Sequence, residues 1–168
     1  MRPDVQHITK ADTAPRFDFE GPLDGIGWRI LKELQDNARI SFTELGRRIG
    51  LTPPAVADRV RRLEDAGIIT GYRVELDLER LGFSMLAFIR LAVRGSTGLE
   101  VSRVVASLPE VLECHHVTGE DCYVIKVAVA SVRHLEGLIE QLLRFGNTTT
   151  SIVISSPVTR RVIEPRAE

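Results

Sequence analysis

The chain is short of several things, and each shortage narrows what it can be. Only two of its 168 residues are cysteine, Cys114 and Cys122. Two thiols do not make a disulfide framework, and a reducing compartment suits them as free groups. No apolar run reaches the ~18 residues that a membrane-crossing helix needs. The N-terminus has no short apolar core of the signal-peptide kind, so the expected location is the cytoplasm. No P-loop and no glycine-rich dinucleotide fingerprint occurs, and no cofactor is expected. Charge of one sign is not in excess either: the formal net charge is −1. What is present is ordinary for a soluble globular protein, with 43% apolar and 27% charged residues. The length allows one domain or two small ones. Each half would have a modest core, which makes pairing between chains a source of further burial.

The most informative stretch is Ser41–Tyr72, which reads as helix, tight turn, helix and then an extended segment. Ser41 caps the first helix, and Glu44 three residues later completes a capping box. Leu45 and Ile49 share one face, and Gly50 ends the helix. Thr52 caps a second helix whose first position is Pro53. Val56, Val60 and Leu63 fall on one stripe of it. Pro54, Ala55, Asp58, Arg61, Arg62 and Asp65 fall on the other side. Gly67 stops the helix, and Ile68 to Val74 reads as extended. This is the layout in which a second helix enters the DNA major groove. Between Arg39 and Arg62 there are six arginines against Glu44 and Asp58, a local net of +4 on a nearly neutral chain. A local basic patch is the footprint of a protein that neutralises phosphates.

The landmarks Leu23-Asp24, Ile30-Leu31, Leu34, Ala38-Arg39, Leu45, Gly50-Leu51, Val56, Arg59-Val60, Arg62-Leu63-Glu64, Gly67-Ile68-Ile69, Gly71-Tyr72 and Leu81-Gly82 together resemble the N-terminal half of the Lrp/AsnC, or feast/famine, regulators of bacteria and archaea. One departure is Gly27, where the family usually carries a second acid near the start of its first helix.

Organisation along the chain follows. Residues 1–22 are polar with no clear period and are expected to form a disordered extension. Residues 23–76 make a winged helix-turn-helix domain, beginning with a helix over 23–35 capped by Asp24 and ending with a strand over Tyr72–Leu76. Residues 77–82 are a linker. Residues 83–156 alternate strand, helix, strand, strand, helix, strand. The expected strands are Ser84–Val93, Val111–Thr118, Cys122–Ala130 and Thr148–Ser155, and the helices are Leu99–Leu108 and Val132–Arg144. In the last helix Leu135, Leu138, Ile139, Leu142 and Leu143 are expected inward. This βαββαβ order is the ferredoxin-like arrangement, so the fold class is α+β. Both helices cover one sheet face and leave the other for a second copy. Residues 157–168 read as a polar, frayed tail. The resemblance implies that the second half senses an effector and oligomerises, from dimers to octamers.

On the reading helix, Arg61 and Arg62 face outward and can reach phosphates or guanine edges. Arg59 sits between faces and either contacts phosphate or pairs with an acid such as Glu64. Thr52, Pro54, Ala55 and Asp58 lie at the end that meets base edges. Arg39, Arg47 and Arg48 are backbone contacts. In the second half the resemblance implies an effector loop of Thr-Gly, two residues, then Asp-Tyr, carried here by Thr118, Gly119 and Tyr123. Cys122 stands where the family has the aspartate, and a thiol is a weaker partner for an amino group than a carboxylate. Glu120 or Asp121 could substitute. Cys114, His115, His116 and Cys122 lack zinc-ligand spacing, so no metal is expected. The resulting expectation is a sequence-specific DNA-binding regulator, responsive to an amino acid or related molecule bound between subunits, and not an enzyme. Two alternatives are an enzyme like the sirohaem decarboxylases, which share the scaffold and would draw on His115, His116 and His134, and an effector-independent nucleoid-type binder.

Overall fold

The structure is a computed structural model that describes residues 21, 23–94, 98–119 and 122–165. The extension over 1–22 therefore lies almost wholly outside the described residues, as do Glu120 and Asp121. Contacts divide the chain into two compact units: one runs up to Arg73 and includes the residues from Arg160 onward, and the other is Val74–Thr159.

The first unit is three helices, α1 (Gly25–Asp36), α2 (Phe42–Ile49) and α3 (Pro53–Asp65). Asp24 caps α1 by accepting from the Gly27 N–H at 2.7 Å. Ser41 caps α2 by accepting from the Glu44 N–H. Only half of the expected capping box forms, because the Glu44 carboxylate turns to Arg47 and Arg48. Gly50 closes α2 in the left-handed conformation, φ +80. Thr52 occupies the cap position of α3, but its hydroxyl makes no cap bond. Pro53 and Pro54 have no N–H to offer it. Ile30, Leu45, Val56 and Leu63 are fully buried, with Leu34, Ile40, Ile49 and Val60 around them. The turn between α2 and α3 is tight enough to forbid a side chain at Gly46: a Cβ there would overlap the Leu51 carbonyl and touch Val56.

Two expectations fail in this region. Tyr72–Leu76 pairs with no strand. Its apolar side chains stay exposed, Tyr72 at 48%, Val74 at 82% and Leu76 at 63%, so burial does not hold it in a sheet. The C-terminal segment is not simply frayed. Ile163 donates its N–H to Gln35 Oε1 at 3.0 Å, and its carbonyl accepts from Gln35 Nε2 at 3.1 Å. Lys32 adds an ion pair with Glu164 at 3.3 Å. A glutamine amide offers the same donor and acceptor as a peptide, so it can receive an extended segment as a strand would.

The second unit is β1 (Met85–Val93), α4 (Gly98–Ser107), β2 (Val111–His116), β3 (Tyr123–Val129), α5 (Val132–Leu143) and β4 (Gly146–Ile152). Its sheet is antiparallel in the order β2-β3-β1-β4, the ferredoxin-like topology. β4 starts and ends earlier than periodicity indicates, because Gly146 pairs with Val93. Alternation sends Ala87, Ile89, Leu91, Ile125, Val127 and Val129 to one face, where Val101, Val105, Leu135, Leu138, Leu142 and Phe145 complete the core. Leu143, expected inward, is half exposed. It lies one residue past Leu142, about 100° round the helix from the buried stripe. The opposite face is mixed, with Phe88, Arg90, Val124 and Lys126 aligned by register, and Lys126 paired to Glu113 at 2.8 Å. At the start of α5, His134 Nδ1 accepts from the Ala130 N–H and its Nε2 meets Glu110 Oε1 at 2.8 Å. That hydrogen bond, first among several causes, holds the Glu110 carboxyl below its usual range.

Two measurements follow from this packing. Gly46→Ala is expected to destabilise the first unit by about 1–3 kcal/mol, the usual cost of overpacking, seen in denaturant titration through the lone tryptophan, Trp28 of α1. Glu110 is depressed in the folded state, so the unfolded chain binds more protons as pH falls past the ordinary carboxylate value. Its contribution is present above that value and is lost as pH drops through the folded one. Glu110→Gln removes this contribution, so the difference in melting temperature from wild type is expected to shrink on acidification. A constant difference would place the stabilisation elsewhere.

Candidate nucleic-acid interface and effector loop

The outward face of α3 is built by exclusion. Packing Val56, Val60 and Leu63 inward leaves Pro54, Asp58, Arg61 and Arg62 on the solvent side. The Arg61 and Arg62 side chains are 69% and 66% exposed. Both are held by one carboxylate: Arg61 meets Asp58 Oδ1 at 3.0 Å and Arg62 meets Oδ2 at 2.7 Å. The Arg61 hydrogen bond, followed by the Arg62 charge, keeps Asp58 below the usual carboxylate range. Thr52 and Pro54 are exposed and Ala55 half-buried at the helix start.

The remaining arginines separate into two kinds. Arg47 points outward and pairs with Glu44. Arg48 shares Glu44 and reaches Glu33 of α1 at 2.7 Å, while its carbonyl accepts from Arg29. The Arg47 and Arg48 hydrogen bonds pull Glu44 down to about 2. Arg59 pairs not with Glu64 but with both oxygens of Asp24 at 2.8 Å, the same carboxylate that caps α1. Glu64 instead accepts from the Tyr72 hydroxyl at 2.9 Å. Burial and that bond push Tyr72 up to about 12. Arg48 and Arg59 therefore brace α1 against α2 and α3. Sequence reasoning missed both braces, since partners 15 and 35 residues apart leave no local signal. Arg39 sits exposed at the corner before α2, its N–H on Asn37 Oδ1.

In the second unit, Thr118 and Gly119 are exposed in the bend after β2, and Gly119 has φ +119, where a side chain is strained. The Cys122 carbonyl accepts from the Val117 N–H at 2.9 Å and closes the loop. Tyr123 is not a free loop side chain. Its ring is buried and stacked on His116 at 4.8 Å, and its hydroxyl donates to the Gly98 carbonyl at the start of α4. Beside it, a groove of about 410 Å³ runs between α4 and β2, lined by Ser102, Val105, Ala106, Cys114 and His116 among others. Burial pushes the Cys114 thiol up. Among the described residues, no three potential metal ligands converge, and no helix is long and apolar enough to cross a membrane.

Comparison with known proteins bears on both units. Residues 23–70 match the family model described as winged helix-turn-helix DNA-binding, and residues 86–163 match the Lrp/AsnC ligand binding domain. The leucine-responsive regulatory protein of Escherichia coli K12 is 38% identical over 153 residues, covering 86% of this chain and 93% of that protein. The chain belongs to the Lrp/AsnC family of transcriptional regulators. Solved Lrp/AsnC structures agree in fold. That of Bacillus subtilis LrpC aligns with a TM-score of 0.78 at 33% identity, over 82% of this chain and 99% of that one. The feast or famine regulatory protein of Mycobacterium tuberculosis complexed with L-methionine also aligns at 0.78, with 33% identity over 85% and 99%. As an Lrp/AsnC member the chain is a helix-turn-helix DNA-binding regulator that carries a ligand-binding domain.

Proposed function

We propose that this regulator reads DNA through the outward face of α3 and answers to an amino acid held at the Gly119 loop. The observation that carries the first part is the exposure of Arg61 and Arg62 on the second helix of a helix-turn-helix whose inward stripe is fully packed. In this reading Thr52, Pro54, Ala55 and Asp58 meet base edges. Arg39, Arg47, Arg61 and Arg62 engage the backbone, and Arg48 and Arg59 assist mainly by holding the helices in place. The working division is 23–76 for DNA reading, 77–82 as connector and 83–156 for sensing and assembly. Thr118, Gly119, Glu120, Asp121, Cys122 and Tyr123 form the sensing loop, with Tyr123 fixing it from below. The role is regulatory rather than catalytic, and its place is the cytoplasm, where the DNA is.

The second unit supports a homodimer. Its sheet has one face packed by helices and one bare, with Phe88 partly exposed there. A second copy would cover it and present two α3 helices to a near-palindromic site. Further assembly to an octamer would place the Gly119 loop at the contact between dimers. A ligand bound there shifts the equilibrium by its differential affinity for the two assemblies. The methionine complex of the mycobacterial relative supports an amino-acid effector. Cys122, replacing the family's aspartate, argues for a different one from those that need a carboxylate at this position.

Arg62→Ala is expected to weaken binding to every duplex and to reduce the salt slope by about one unit, as loss of a phosphate contact does. Selective loss at one base pair would instead move Arg62 to base readout, and no change would remove α3 from the interface. For the effector, a thermal-shift screen of the twenty amino acids is expected to find a stabilising ligand. Gly119→Asp should abolish that shift while leaving single-site DNA affinity intact. A variant that still responds like wild type rules out the loop as the sensor.

A further inference from the structure

Asp58 is an acid on the face that is to meet a polyanion. Its position is not required by the fold: it lies outside the core, which Val56, Val60 and Leu63 complete without it. It also differs from Asp24 and Glu33, whose arginines tie separate helices together. Asp58 instead spreads one carboxylate over Arg61 and Arg62, an oxygen to each, on a single exposed turn of α3. It therefore subtracts from the charge that would release counterions on any DNA.

The strength of these pairs decides what happens on binding. Exposed ion pairs are weak and screened by salt, so phosphates can take both guanidiniums. A bare carboxylate then remains in the N-terminal half of α3, the part of a reading helix that meets base edges. Its best-matched partner in the major groove is the N4 amino group of cytosine, because the N6 amino group of adenine has the N7 acceptor beside it. Against guanine O6 and N7, or thymine O4, it meets only acceptors.

We infer that Asp58 is a specificity-determining residue: it serves as counter-ion to Arg61 and Arg62 on random DNA and accepts from a cytosine amino group at the operator. It thereby weakens non-specific binding more than specific binding. This rests on α3 being the reading helix.

The test uses the full chain and two duplexes, one of random sequence and one that the wild-type protein selects from a random pool, titrated over a range of salt. Asp58→Asn and Asp58→Ala are expected to bind the random duplex several-fold more tightly at low salt and to steepen its salt slope by about one unit. The selected duplex should gain less or lose affinity, so the ratio of the two falls on the order of tenfold, the scale of one base contact. Repeating the selection with Asp58→Ala should lose a C·G preference at one position. Unchanged affinity and slope on random DNA, or equal shifts on both duplexes, overturn the inference. Arg62→Ala in parallel separates the two levels. If it changes neither duplex, the assignment of α3 fails and the role of Asp58 falls with it. If it behaves as a phosphate contact while the Asp58 variants match wild type, only the inference about Asp58 falls.

Discussion

The packing of one helical stripe controls the rest. Val56, Val60 and Leu63 must leave water together, and on a helix turning about 100° per residue that choice assigns every other side chain of α3 to a direction. Their partners are Leu45 and Ile49 of α2 and Ile30 and Leu34 of α1. At Gly46, α2 passes close to the Leu51 carbonyl in the turn that leads into α3. Arg61, Arg62 and Asp58 are outward because the opposite face is taken. The outward face of α3 is thus a by-product of hydrophobic burial elsewhere on the same helix.

Charge is organised on top of this frame in two layers. Asp24 and Glu33, on and beside α1, anchor Arg59 and Arg48 and so convert basic residues into braces. Glu44 and Asp58 hold arginines that remain exposed. A basic local sequence therefore does not mean a surface of bare positive charge. The difference matters because an arginine shared between elements loses packing when it is recruited, whereas an exposed pair on one helix gives way to phosphate at little cost.

The second unit solves a different problem. Four short strands cannot bury two faces, so the helices α4 and α5 close one and leave Phe88, Arg90 and Lys126 on the other. At the start of β3, Tyr123 stacks on His116 of β2 and its hydroxyl ties the strand to the start of α4.

Much of this was legible in the chain itself, wherever the cause is local. Capping at Ser41 and Asp24, the left-handed Gly50, the stripe of α3 and the alternation of Tyr123 to Val129 all depend on residues within a turn or two of each other. The order of strands and helices then leaves few topologies, and the ferredoxin-like one is realised. What the sequence could not settle is which distant groups meet. Arg59 had an acid five residues on, yet it reaches Asp24 because α3 packs against the start of α1. The C-terminal segment looked unattached until Gln35 offered it a peptide-like partner. Periodicity and capping are properties of neighbours in sequence. Ion pairing and close approach are properties of neighbours in space, which only the tertiary structure decides.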